Sequence, residues 1–445
     1  MASSTAPNHT VVVLGAGFAG VPMAHHLLKR TPANVANVRV ILVAPNDAMF
    51  FNTASPRGFL PVDADSSTNA KGTPGYGDDR LFYDLAPAFA KYNAGGAKRF
   101  EQLVGRATSL DPDNQTVEVK LLAGGEVQTV HYDTVIIATG SDMTDGSPFK
   151  IVSHGGTAET KAALAAYRAQ VKMASTVVVA GGGLTGVEVA GELGSVYGSK
   201  VVGGSAPAAP KSEKKDIVFI INEPLPLGVY GAKDSVRQTV ADRLDALGVR
   251  TITNTTVTAT SPSPSNPKKT VLTLTDKAGK TSTLETDVYI PAFGSTNNTG
   301  FIPEKMLDTS TKGRRRVRAR KTLQAEGYDN IFVIGDVLNL IGPSLKNVTE
   351  QLEVLAPNMQ AYLKNWAASQ SGGAKNGVAA APLKDYGVSD TIVLAASTGP
   401  AGGTGQMGSM KFPSFLIWFF KARYLGTDKA QEYANGNRTA QNSKW

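Results

Sequence analysis

The sequence predicts an α/β chain made of two doubly wound parallel-sheet domains, one nested inside the other, with a small α+β unit at the C-terminal end. Three observations predict it. Two short β-branched runs, residues 10–14 (TVVVL) and 176–180 (TVVVA), each lead into a glycine cluster, GAGFAG and GGGLTG. Each cluster is followed by helical patterning and then by a second apolar run, VRVILV at 38–43 and IVFII at 217–221. The clusters begin at Gly15 and Gly181, 166 positions apart, as a duplicated module would. A continuous apolar run, a glycine turn and a helix form half of a Rossmann-type βαβ unit, and the chain carries two.

The first turn, Gly15-Ala16-Gly17-Phe18-Ala19-Gly20, has dinucleotide-binding spacing. Its first glycine permits the tight turn, its second lets backbone approach a pyrophosphate, and its third lets helix pack on strand. The helix N-terminus offers free N–H groups to the phosphates. The second strand of such a unit usually ends in an acidic residue that binds ribose. Here Val43 is followed by Ala44, Pro45, Asn46 and Asp47, so either Asp47 or Asn46 reaches the ribose from a shifted position, or that hydrogen bond is replaced.

The second turn repeats the logic with Gly181, Gly183, Leu184, Thr185 and Gly186. Glu188 and Glu192 follow on one helical face. Glu188 is either a group beside the reacting rings or half of an ordinary exposed pair. The matching strand ends Ile221-Asn222-Glu223. A carboxylate there accepts from a ribose hydroxyl and repels a 2′-phosphate, which favours NADH over NADPH unless Asn222 is the residue that faces the ribose.

Three further strand ends complete the pattern. Residues 135–138 (VIIA) end in Thr139 and Gly140, residues 287–290 lead to Phe293 and Gly294, and residues 330–334 (NIFVI) end in Gly335 and Asp336. A strand ending in Gly-Asp can hold a carboxylate against the ribityl hydroxyls of FAD. Helices are expected over 21–30, 187–197 and 349–366. Loops are expected over 63–79 and 202–215, with a linker over 367–382. The domain reading is 1–145 with 297–366 for FAD, 146–296 for the nicotinamide nucleotide and 382–445 for the C-terminal unit.

Composition excludes several classes. The chain has 445 residues, too many for one core, and no cysteine, which rules out disulfides, thiolate metal sites and a redox dithiol. The five histidines show no metal or triad spacing, so no metal site is expected. No secretory signal and no run of apolar residues long enough for a membrane span is visible, so the expected place is the cytoplasm or an organelle or membrane surface.

With these motifs the chain resembles the pyridine-nucleotide-disulfide oxidoreductase superfamily. Within it, the chain is similar to the branch of apoptosis-inducing factor and the ferroptosis-suppressor-type quinone reductases, in its fungal form. The carriers are GAGFAG with Val21-Pro22, Phe50-Phe51-Asn52 through Pro56-Arg57, Ala138-Thr139-Gly140, GGGLTGVEVAGELG, Ala292-Phe293-Gly294, IFVIGD, Pro413-Ser414-Phe415 and Lys421-Ala422-Arg423. The resemblance implies FAD held by Gly15, Gly17, Gly20, Arg57, Thr139, Gly140 and Asp336. It implies NADH or NADPH held by Gly181, Gly183, Gly186, Glu223 and Gly294. It further implies that hydride passes to the flavin and that electrons pass on to a quinone or other small acceptor.

Rival readings are a flavin-dependent tailoring oxidase or dehydrogenase of a small metabolite, and a signalling flavoprotein that binds DNA. The basic run from Arg314 to Lys321 is the only support for the latter, and an edge strand with alternating charge explains it better, so no nucleic acid is expected. The aromatic run from Phe412 to Leu425 suits a membrane surface or packing on the core or a dimer partner. The chain is expected to be a monomer or a homodimer.

Overall fold

A computed structural model describes residues 7–62, 75–199, 213–310, 315–370 and 380–438. Most of the two expected loops and of the linker, and Arg314 of the basic run, lie outside the described residues. The first sheet has seven strands in the order Ile331–Val333, Thr134–Ile137, Asn8–Leu14, Asn37–Ala44, Phe100–Asp111, Thr116–Leu121 and Val127–His131. The first five run parallel and the last two add an antiparallel edge. Val11, Val12, Val13, Val135, Ile136 and Ile137 are fully buried, as a strand covered on both faces requires. The strand Ile331–Val333 joins this sheet only after the second sheet is complete.

The second sheet orders Arg250–Ile252, Asp216–Ile220, Thr176–Ala180 and Val288–Pro291, all parallel. An antiparallel meander, Thr255–Pro262, Thr270–Asp276 and Thr281–Thr286, covers one face. Its Leu272 and Leu274 pack on Val178, Ala180, Val218 and Ile220. Threonine alternating with apolar residues suits this half-buried layer. A third, antiparallel sheet of Val393–Ser397, Gly403–Met407 and Met410–Phe412 precedes short helical turns near the C-terminus.

The helix after the second turn spans Leu184–Tyr197, starting three residues before the sequence pattern suggested, because it begins directly on the glycine turn. The late helix runs Leu345–Gln370, beyond the expected 349–366 at both ends. Two connecting segments, Ser141–Met143 and Ser295–Asn297, pair antiparallel and bind the two modules together. Asn298 laces this crossing: its backbone carbonyl accepts from Thr139 Oγ1 at 2.7 Å, and its amide donates to Asp142 at 2.8 Å.

Candidate active site

The two glycine turns are built alike. Gly15 sits at φ +112° and Gly181 at φ +125°. A side chain at Gly15 would strike the carbonyl of Ala138, and one at Gly181 the carbonyl of Ala292. A methyl at Gly20 would lie 1.8 Å from the Gly15 carbonyl oxygen, and one at Gly186 would lie 1.9 Å from that of Gly181. Gly20 and Gly186 therefore act through helix-on-strand packing, not by facing a ligand.

Both turns open into one cavity of about 710 Å³, within the usual range of cofactor sites, roughly 300–1,000 Å³. Gly15, Ala16, Gly17, Phe18, Ala19, Thr139, Gly140, Gly335 and Asp336 line one part of it. Gly183, Leu184, Thr185 and Gly294 line another. Pro343, Ser344 and Leu345 also line it, so the N-terminus of the long helix faces the same space as the first turn.

Asp336 accepts from Ser141 Oγ at 2.8 Å and from Lys150 Nζ at 3.1 Å. Burial alone would raise its carboxyl, but Lys150 and Ser141 outweigh burial and hold it below the ordinary carboxylate range. Asp336 is thus an ionised acceptor in the cavity wall. Gly335 N–H donates to the buried Gln351 at 2.8 Å, which fixes the Gly-Asp turn against the long helix.

Several residues expected to touch a cofactor fall elsewhere. Asp47 is exposed and does not line the cavity; Asn46 does, buried, with its amide donating to the carbonyls of Ala16 and Ala48. Arg57 does not face the cavity either. Its five N–H donors go to the Glu192 carboxylate (2.6 and 2.9 Å), Tyr76 Oη, and the carbonyls of Ala422 and Arg423. Glu223 pairs with Arg237 at 2.7 Å and packs over Gly228, outside the cavity lining. Gly181 shapes its turn from behind.

Glu188 is no exposed helix-face residue. It is buried, pairs with Lys421 Nζ at 2.6 Å and accepts from the Ser397 N–H. It too is absent from the cavity lining. Lys421 also donates to the Ala395 carbonyl at 2.9 Å, so the helix after the second turn is tied to the C-terminal unit.

Sequence reasoning gave no role to several residues the cavity gathers: Lys150, Arg106, Thr53 and Tyr230. Arg106 Nε and Thr53 Oγ1 are buried and have no hydrogen-bond partner among the described residues, so both can serve a bound polar group. None of the four carries a motif; only the position of Tyr230, in the loop after the second strand of its module, offered a signal.

A family model described as pyridine nucleotide-disulphide oxidoreductase matches residues 9–370. The chain belongs to that family. It is accordingly an oxidoreductase of the flavin- and nicotinamide-dependent kind. With no cysteine it works without the dithiol of the family's name. The oxidoreductase ptaL of Pestalotiopsis fici is 31% identical over 408 residues, spanning 92% of this chain and 94% of the relative. Ferroptosis suppressor protein 1 of Homo sapiens is 26% identical, covering 93% of each chain. Among solved structures, the sulfide:quinone oxidoreductase of Aquifex aeolicus superposes with a TM-score of 0.63 at 18% identity, covering 96% of this chain and 92% of that one.

The remaining two expectations concern the surface. Arg315 pairs with Glu304, Arg318 with Glu326 and Arg320 with Asp329, while Arg316 is buried and donates to the Ile341 carbonyl. Three of the six charges of the basic run, Arg315, Arg318 and Arg320, are thus paired with carboxylates nearby. The aromatic run has two faces: Ile417, Ala422 and Leu425 are buried, Leu425 in the main core, while Phe415, Phe419 and Phe420 are 67%, 62% and 67% exposed. Among the described residues, no helix is long and apolar enough to cross a membrane, and no cluster of three or more potential ligands could hold a metal.

Proposed function

We propose that the chain transfers hydride from a nicotinamide nucleotide to FAD and delivers the electrons to a lipophilic, quinone-like acceptor. The carrying observation is that two matching glycine turns open into a single cavity, so two dinucleotides can meet there. FAD fits the part of the cavity formed by Gly15, Ala16, Gly17, Phe18, Ala19, Thr139, Gly140, Gly335 and Asp336. Ionised Asp336 accepts from hydroxyls, Asn46 replaces Asp47 near the turn, and Gly17 leaves open space where a side chain would intrude. Gly183, Leu184, Thr185 and Gly294 take the nicotinamide nucleotide. Glu223 is taken up by Arg237 outside the cavity lining and does not choose between the two nucleotides, so the proposed donor is NADH or NADPH.

When bound, the flavin supplies the redox chemistry of the reaction. The chain orients, shields and holds protons. Lys421, partly exposed, and the buried Glu188 form an ammonium–carboxylate pair that can hold a proton. On the same turn, Phe419 and Phe420 face outward while Lys421 turns inward. This places an apolar surface beside that pair and supports an acceptor arriving from a membrane interface, with Arg423 lying over the Trp418 and Tyr424 rings at its rim. The fold neighbour whose name mentions quinone supports the same acceptor class.

The test is anaerobic stopped flow. Protein reduced with one equivalent of NADH is mixed with a short-chain ubiquinone, and flavin reoxidation is followed. Rapid reoxidation is expected. Reduced flavin that persists with quinone but reoxidises with a different small metabolite would favour a tailoring enzyme. Co-sedimentation with anionic lipid vesicles, lost in F419A/F420A, is expected if the aromatic face meets a bilayer.

A further inference from the structure

The two glycine turns differ in one respect. At the first turn, a Cβ on Gly17 would meet no atom of the described residues within 4 Å. At the second, the equivalent position on Gly183 lies 3.4 Å from the Tyr230 hydroxyl. That hydroxyl also accepts from the Leu184 N–H at 3.3 Å. Leu184 is the first residue of its helix, and Gly183 at the N-cap has no side chain to cap it. Tyr230 supplies a capping oxygen at an amide of the kind that phosphates take at helix N-termini.

The loop that carries Tyr230 is held at its base. Arg237 binds the carbonyls of Leu225 and Pro226 at 2.8 and 2.9 Å, and Leu227 N–H donates to the Gly182 carbonyl at 2.7 Å. Its tip is open, with Val229 74% exposed between two left-handed residues, Leu227 at φ +66° and Gly231 at φ +62°. The tyrosine therefore reaches the turn from a short, exposed tip on an anchored base.

We propose that Tyr230 sets the affinity for the nicotinamide nucleotide by competing with its phosphate for the Leu184 N–H. The inference rests on the reading that the second turn binds this nucleotide. It gives the duplication a functional asymmetry. The first turn holds a resident cofactor with no competing hydroxyl, and the second holds a nucleotide that must leave after each turnover. A neutral phenol loses to a phosphate at a helix N-terminus, yet its hydrogen bond subtracts from the net affinity.

The test compares wild type with Y230F by calorimetric titration of ADP-ribose into the flavin-loaded protein, which reads binding without hydride transfer. Loss of one neutral hydrogen-bonding competitor is expected to tighten binding about 2- to 10-fold. The KM for the reduced nucleotide should fall by the same factor at unchanged flavin content. Unchanged or weaker ADP-ribose binding by Y230F would overturn the competition, since the hydroxyl would then be idle or a phosphate donor. If flavin-loaded wild type bound no ADP-ribose at all, the reading of the second turn would fall, and the proposal with it.

Discussion

The Arg57 guanidinium and the Glu192 carboxylate form a two-point ion pair, 2.6 and 2.9 Å long, in which both side chains are buried. The pair joins the short helix Ser55–Gly58 to the helix Leu184–Tyr197, and Arg57 extends it to the carbonyls of Ala422 and Arg423. Burial pushes the Glu192 carboxyl up and Arg57 pulls it back. Removing one partner leaves the other charge buried alone, at about 3–5 kcal/mol, whereas removing both costs far less. R57M and E192M should each destabilise by that amount, and R57M/E192M by clearly less than their sum. Urea unfolding of the three variants checks this.

The close approaches at Gly20 and Gly186 separate the two halves of the site. G20A forces the first helix off its strand and should yield protein that loses FAD. G186A does the same to the second helix and should keep FAD while losing reduction by nucleotide. Overpacking of this kind costs about 1–3 kcal/mol or more. Flavin absorbance after gel filtration, and its bleaching by NADH, distinguish the two outcomes.

His9, His25 and His26 are buried, and burial is the main cause that lowers each to about 4. His25 is the most constrained, with Nε2 at 2.8 Å from the Ala434 carbonyl, Nδ1 at 2.9 Å from Tyr92 Oη and its ring stacked on Phe89. Because the folded values lie below the ordinary 6.5, the unfolded chain binds more protons in that window. Stability is full above pH 6.5 and falls as pH drops toward 4, by up to about 1.4 kcal/mol per pH unit for each histidine. Chemical denaturation at pH 7.5, 6, 5 and 4.5 measures the slope, and H26Q should reduce it by up to one histidine's share.

The Glu188–Lys421 pair makes a kinetic prediction. If it holds a proton for acceptor reduction, E188Q should keep its FAD and its reduction by NADH, yet reoxidise with quinone at least about tenfold more slowly. An equal slowing of both half-reactions would mark the pair as structural support for the C-terminal unit. Stopped-flow rates for each half-reaction decide between them.

Much of this fold was legible in the sequence because its signals are local. A glycine turn between an apolar strand and a helix announces itself within one short stretch of sequence, even though Ala138 and Ala292 also press on Gly15 and Gly181, and both turns formed as read, Gly15 with Gly20 and Gly181 with Gly186. The residues that fall away from the expected site share one cause. Arg57 looked like a cofactor ligand, but its partners lie 135 residues away at Glu192 and 366 away at Arg423. Glu188 sits on the expected helix, yet its ion partner Lys421 comes from the C-terminal unit, and no periodicity reveals that pairing. Asp47 and Asn46 are neighbours in sequence, and only the turn's direction decides which faces inward. Tyr230 reaches Leu184 across 46 residues through a loop with no motif of its own.

The most direct measurement is the visible absorption spectrum of the purified protein during anaerobic titration, first with NADH and then with NADPH. The expected result is a flavin spectrum that bleaches stoichiometrically with at least one of the two nucleotides. A flavin spectrum that neither nucleotide changes, or a protein that takes up no FAD, would contradict two dinucleotides meeting in one cavity.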